Sequence, residues 1–406
     1  MDATAIMKIF EDTAYVHMGG SAEELRCAEY LRDRCAGFGT AVIEPFAVPM
    51  STVTEAVLEA DGIQIPCKGY RCAGSSEVEA PFYYLADRDP HSLSKCRGKI
   101  VLVDGYLGYW IYQDLLENGA VGFVTYDGHI NYADRDIDDR ELRSYVHNGN
   151  RIPGVNINVK DAVALVEKGV ATAKIVLKQE EIVGESRNVI LDLPGEIEDT
   201  IVLTAHYDTT SLSNGAYDNM SGSIGLLAMA EHFSKAPHHY GLRFIWCGSE
   251  ERGLLGSKAY CAAHAEELKN IALCVNLDMI GSIMGKFIAC CSAEEKLCHY
   301  ISYLGSELGF GVAPKQDVYA SDSTPFADNG VPSLSFARIA PPTTATIHNS
   351  YDTMALMSGT QMEKDIEFIT AFVSRMANAV RCPVDKTIPD AVKEKLDTYL
   401  NRKRKN

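Results

Sequence analysis

Basic residues are scarce in this sequence. Its 406 residues include 38 Lys and Arg against 55 Asp and Glu, a formal net charge of −17. A nucleic-acid partner needs clustered cations to displace counterions from phosphate, so that class of partner is excluded. The one basic run, Arg402-Lys403-Arg404-Lys405, closes a helix-like segment, where cations favour the helix dipole. Long hydrophobic runs are missing as well. The most apolar helical stretch, about 224–230, falls far short of the roughly 20 residues that span a bilayer, so no membrane partner is expected. Residues 1–10 contain Asp2 and Lys8 and lack the apolar core of a secretory signal. The twelve cysteines include no Cys-x-x-Cys pair, and they read as reduced core residues of a cytoplasmic protein. No internal repeat or low-complexity segment stands out.

What is present is enough for a large core: 46% of residues are hydrophobic and 23% charged. The length points to two units. Ser21 starts a helix, with Glu24 three residues on to complete a capping box and Leu25, Ala28, Tyr30 and Leu31 at helical spacing. A strand over 40–48 follows. From about 51 to 183 the texture changes to short strand-like runs at 53–58, 82–85, 99–103, 122–126 and 172–177, with one helix at 110–118. Within it, the Asp-rich stretch 127–150 reads as a surface excursion. From about 186 strands and helices alternate. Strands fall at 189–193, 201–205, 242–247, 271–278, 286–291 and 333–337, and helices at 221–234, 253–269, 294–308 and 361–381. Near-continuous apolar strands separated by helices predict an α/β fold. Its central sheet is mixed, mostly parallel and covered by helices on both faces. The domain expectation is a discontinuous catalytic domain, 1–50 and 184–406, with an inserted α/β module at 51–183.

Three apolar strands run directly into chemistry. The first ends in His206-Tyr207-Asp208, the second in Gly248-Ser249-Glu250-Glu251 and the third in Asp278. Sites in open α/β sheets form outside the carboxyl ends of the strands. Each group alone has an ordinary explanation: a structural histidine, solvated glutamates, an N-cap at Asp218-Asn219. Together, several carboxylates and an imidazole at one sheet edge would need partners if buried, and a metal ion serves several at once. Adjacent Glu250 and Glu251 in a turn can face one cavity with different roles, one binding metal and one accepting a proton from metal-activated water.

The chain here resembles the co-catalytic zinc peptidases of family M28. The resemblance rests on five motifs in order: His206-Tyr207-Asp208, Asp218-Asn219-Met220-Ser221-Gly222, Glu250-Glu251, Asn276-Leu277-Asp278-Met279 and His348-Asn349-Ser350-Tyr351-Asp352. It covers about 186–381 together with the N-terminal helix and strand. It implies two divalent cations, zinc by analogy, bridged by Asp218. His206 and Asp278 complete one site, Glu251 and His348 the other. It further implies Glu250 as general base, Asp208 as the carboxylate orienting His206, and a cis Asp218–Asn219 peptide. Asp322 and Tyr351 are candidate substrate contacts. The sequence departs from the family at Ser323, where Ser-Asp-His is common, and at Asn349, where many members have Thr. In the insert, 98–103, 117–124 and 152–155 resemble a protease-associated domain, either limiting substrate entry or serving as a structural or dimer surface.

The implied reaction is hydrolysis of the N-terminal peptide bond of short peptides. A carboxypeptidase of the same family is the main alternative; it needs a cation for the substrate carboxylate, for which Arg338 and Lys315 are candidates. A single-zinc glutaminyl cyclase and a non-catalytic binding protein are further alternatives. A mixed His and carboxylate set suits zinc, with manganese or cobalt chemically admissible. The partner is a peptide, and a homodimer stays open.

Overall fold

A computed structural model describes residues 1–131, 137–342 and 344–404. Residues 132–136 of the Asp-rich stretch, and Lys405 of the basic run, lie outside the described residues. The chain divides into two compact units, one formed by Met1–Ala47 with Glu185–Asn406 and the other by Val48–Gly184.

The first unit is built on a mixed sheet. Strand Thr200–His206 lies between Gly241–Cys247 and Ile271–Leu277, parallel to both, and Ser333–Ile339 adds a further parallel neighbour. Lys286–Ser292 joins antiparallel beyond it, followed by the parallel edge strand Ala313–Gln316. Residues 189–193 pair antiparallel with Gly241–Cys247. Side chains along these strands alternate between two cores. Ile201, Leu203, Phe244 and Trp246 pack with helices Ser221–Phe233, Glu295–Leu308 and Gly359–Ala377. Val202, Ile245, Cys247 and Cys274 pack with Leu255–Ala263 and Phe326. Both faces are therefore covered, which is why the strands read as unbroken apolar runs.

Helix Ser221–Phe233 is buried along nearly its whole length. Its first turn lies flush on the end of a strand, because a Cβ on Gly222 would sit 2.2 Å from the carbonyl oxygen of Leu277. Only glycine permits that approach, and it brings the start of this helix against Asp278.

In the second unit Ser76–Leu85, Ile100–Val103, Gly122–Asp127 and Gly154–Asn158 run parallel, with Cys67–Gly69 antiparallel at the edge. Part of the expected surface excursion is packed instead: Leu142 and Val146 are buried and Arg140 is paired with Asp127. Two expectations of separate strands are corrected. Residues 40–48 and 53–58 belong to one strand, Ala41–Ala60, and residues 172–177 and 189–193 to another, Thr172–Leu193. The polar residues between the apolar runs hid this continuity, since a main-chain ladder needs no apolar side chain. Helices Ala3–Asp12 and Val159–Glu167 were not anticipated. Among the described residues no helix is long and apolar enough to cross a membrane.

Candidate metal centre

The carboxyl ends of three neighbouring parallel strands meet the start of a buried helix and a long loop. His206 closes strand Thr200–His206, the Glu250-Glu251 turn follows Gly241–Cys247, and Asp278 follows Ile271–Leu277. Asp218 arrives on the segment before Ser221–Phe233, and His348 on the loop after Ser333–Ile339.

Asp218 occupies the centre. Its Oδ1 lies 3.1 Å from His206 Nε2 and its Oδ2 lies 3.2 Å from His348 Nε2. Asp278 Oδ1 stands 3.9 Å from His206 Nε2, and Glu251 Oε1 stands 3.1 Å from His348 Nε2. Two groups of potential ligands result, His206–Asp218–Asp278 and Asp218–Glu251–His348, with the donor atoms of each within 4.8 Å of one another. Tetrahedral ligands about 2.0–2.2 Å from zinc stand about 3.3–3.6 Å apart, and small shifts of these side chains would fit a cation in each group. Asp278 Oδ1 is buried without a hydrogen-bond partner, an acceptor that the protein itself leaves unused. The donor set of imidazoles and carboxylates suits zinc.

The electrostatics agree with this fit. Burial raises the carboxyl of Asp278 to about 7 and pushes Glu250 well above the usual range; Glu251 is raised for the same reason. Burial opposes ionisation of Asp218 too, but the imidazoles of His206 and His348 hold it below its ordinary value. Burial disfavours a charged imidazole, yet Glu251 and Asp218 raise His348 to about 11. Glu250, Asp208 and Asp218 raise His206 well above its ordinary value. Carboxylates packed this closely thus favour positive charge among them, which a bound cation would supply.

Local structure explains how the groups are aimed. The Nδ1–H of His206 donates to the carbonyl oxygen of Asp208 at 3.2 Å, which leaves Nε2 as the ligand nitrogen. The carboxylate of Asp208 stands 3.7 Å from Nδ1, beyond hydrogen-bond length. It accepts instead from the backbone N–H of Glu250 at 2.8 Å and of Glu251 at 3.2 Å. Its side chain therefore anchors the glutamate turn, and its main chain orients the imidazole. Ser249 (φ 54°), Met279 (φ 62°) and His348 (φ 59°) take left-handed conformations beside or within the candidate ligands. Such residues cost about 1–3 kcal/mol each and persist only where surrounding structure holds them. The Asp218–Asn219 peptide is cis.

Two positioning residues had no role assigned from sequence. Asn219 donates to the carbonyl of Leu277 at 2.9 Å, and its Oδ1 accepts from the N–H groups of Gly222 and Met279. It joins the Asp218 segment to the strand end bearing Asp278. Asp352, fully buried, accepts from the N–H groups of Tyr217 at 2.8 Å and Asp218 at 3.1 Å. Replacing Asp352 with Ala is expected to weaken zinc binding by about 10–100-fold, measured by competition with a chromogenic chelator. An affinity within twofold of wild type would show that those amides need no such grip.

The candidate substrate contacts separate. Tyr351 is 58% exposed. Asp322 is corrected: it is completely buried, accepts from the hydroxyl of Ser257 at 2.5 Å, and has no surface to offer a substrate. The cations required by the carboxypeptidase alternative are also committed elsewhere. Arg338 is clamped on the fully buried Asp365, Nε to Oδ2 at 2.8 Å and Nη2 to Oδ1 at 2.5 Å, and Lys315 pairs with Asp317. Replacing Arg338 with Ala strands a buried carboxylate and is expected to cost about 3–5 kcal/mol of stability. Urea unfolding measures this, and a loss below about 1 kcal/mol would contradict the clamp's structural role.

Residues 188–373 match the model of Peptidase family M28. Over this stretch the chain is similar to the peptidases of family M28. The matched stretch spans all the candidate ligands. Aminopeptidase YwaD of Bacillus subtilis is 31% identical over 261 residues, which cover 61% of this chain and 56% of that protein. Leucine aminopeptidase 2 of Trichophyton rubrum is 39% identical over 97 residues, covering 23% of this chain and 20% of that protein. The chain thus spans about half or less of these relatives. Among solved structures, the zinc aminopeptidase BSAP from Bacillus subtilis superposes with a TM-score of 0.78 at 23% identity, covering 96% of this chain and 98% of that one. That likeness establishes the shared mixed α/β fold.

Proposed function

We propose that this chain is a di-zinc aminopeptidase that hydrolyses the N-terminal peptide bond of short peptides. The observation carrying this reading is Asp218, whose two oxygens face two different imidazoles, with Asp278 and Glu251 completing the two groups. The aminopeptidase names of the relatives support it. His206, Asp218 and Asp278 hold one cation, and Asp218, Glu251 and His348 the other. Bound zinc supplies Lewis acidity toward a carbonyl oxygen and makes water acidic enough to lose a proton near neutral pH.

Glu250 belongs to neither ligand group, yet its carboxylate shares their buried surroundings. It accepts a proton from the attacking water and returns it to the leaving amine. The anchored turn keeps that carboxylate in place, because Asp208 holds the backbone of both glutamates. Tyr351, exposed and three residues on from His348, is the proposed substrate contact. The Val48–Gly184 unit is read as a protease-associated-like insert.

Metal analysis of purified protein, combined with hydrolysis of peptides blocked at one end or the other, tests the reading. About two zinc ions per chain are expected, with cleavage abolished by acetylation of the substrate amine and by chelation, and restored by zinc. Cleavage that instead requires a free substrate carboxylate would establish the carboxypeptidase alternative. A zinc content near one per chain with cyclisation of N-terminal glutamine would replace hydrolysis altogether.

A further inference from the structure

Glu24 is a carboxylate that nothing in the reaction uses, yet it is completely buried, 226 positions from Glu250 in the chain. From sequence it reads as the last member of a capping box. The structure gives only half of that: Ser21 Oγ accepts from the N–H of Glu24 at 3.0 Å, but the Glu24 side chain goes elsewhere. Oε1 accepts from the hydroxyl of Ser186 at 2.5 Å, and Oε2 accepts from the N–H of Gly20 at 2.8 Å and from Arg187 Nη1 at 3.3 Å. Ser186 in turn accepts from the hydroxyl of Ser249 at 2.8 Å. Ser249 is the left-handed residue directly before Glu250.

The packing around this chain of bonds is tight. A Cβ on Gly248 would meet Glu24 Oε1 at 2.6 Å and Ser186 Oγ at 2.8 Å; a Cβ on Gly19 would meet Ser249 Oγ at 2.2 Å. The Gly248–Glu251 turn is therefore gripped on two sides, by Asp208 through its N–H groups and by Glu24 through hydroxyls. Burial raises the carboxyl of Glu24 to about 8 despite these donors. A buried acid at this position carries a stability cost.

We infer that Glu24, acting through Ser186 and Ser249, is a positioning residue for the turn that presents Glu250. The N-terminal segment thereby belongs to the catalytic apparatus of the M28-like stretch. The inference rests on the peptidase reading above. The side chain touches neither peptide nor metal, so its loss acts on turnover and not on binding.

The test compares Glu24→Ala, Glu24→Gln and Ser186→Ala in the full-length zinc-loaded protein. Glu24→Ala and Ser186→Ala are expected to lower kcat at least tenfold, with KM and zinc content within twofold of wild type. Glu24→Gln, which keeps an acceptor for Ser186 but turns its NH2 toward the N–H of Gly20 and Arg187, is expected to recover part of the lost kcat, above either Ala variant. Backbone hydrogen exchange over 249–254 is expected to rise in the two Ala variants. If Glu24→Ala does not fold, Ser186→Ala alone decides, since it leaves the Glu24 contacts to Gly20 and Arg187 in place. Unchanged kcat, or a kcat loss that tracks zinc loss or a raised KM, overturns the inference. Wild-type protein that loads zinc and cleaves no peptide sinks the peptidase reading instead. Exchange over 249–254 then still decides whether Glu24 holds the turn.

Discussion

Glu250→Gln is expected to load its zinc normally and to lose turnover by about 10²–10⁴-fold, the usual range for removing a general base. The amide has the same shape as the carboxylate and cannot take a proton from water. Glu250 lies outside both ligand groups, so metal content should stay at the wild-type value. The turn should also persist, because Asp208 grips the backbone N–H of residue 250 and not its side chain. Stability should hold or rise, since the substitution removes one carboxylate from a buried cluster that already contains Glu251 and Asp278. Steady-state kinetics with elemental analysis of the same sample gives the answer. Near-wild-type turnover would strip Glu250 of its role. Loss of metal along with turnover would make it a ligand and move the base elsewhere.

Asp218→Ala should be more severe, because one side chain serves both groups. Its two oxygens stand 3.1 and 3.2 Å from the ligand nitrogens of His206 and His348. Without them each group keeps only two protein donors, too few to hold zinc at a four-coordinate site. Zinc should fall below about one per chain after dialysis, with an affinity loss of roughly 100-fold or more, beyond the cost of losing a merely orienting partner. Activity should drop to background and should not return on adding zinc at concentrations that saturate the wild type. Two tightly held ions in this variant would disprove the bridge, whatever the activity.

The single-residue contrast between these variants separates chemistry from assembly. One keeps metal and loses proton transfer; the other loses the metal that proton transfer depends on. Glu251, adjacent to Glu250, should follow Asp218 and not its neighbour, since Glu251 Oε1 faces His348 Nε2.

Much of the fold was legible because strand and helix periodicity are local properties. Runs such as 201–205, 242–247 and 271–277 are apolar on both faces because helices cover both faces, and that burial is written residue by residue. Polar residues placed directly at their ends, His206, Glu250 and Asp278, mark the open edge of the sheet. Where both faces of a ribbon are less buried, as over 178–185, the pattern faded and one long strand read as two pieces. Helix Val159–Glu167 was missed for a related reason: its buried face consists of Ala162 and Leu165.

By itself, then, the sequence determined the alternation of strands and helices, and the order in which imidazoles and carboxylates arrive at one edge of a sheet. Tertiary structure alone decided what each of those groups does. Asp352 reaches the backbone of Tyr217 and Asp218 across 135 and 134 positions, and Glu24 reaches Ser186 across 162. Arg338 is spent on Asp365, and Asp322 is sealed behind Ser257. Such pairings have no periodicity, because they depend on where the packed chain brings distant side chains together and how much water it leaves around them.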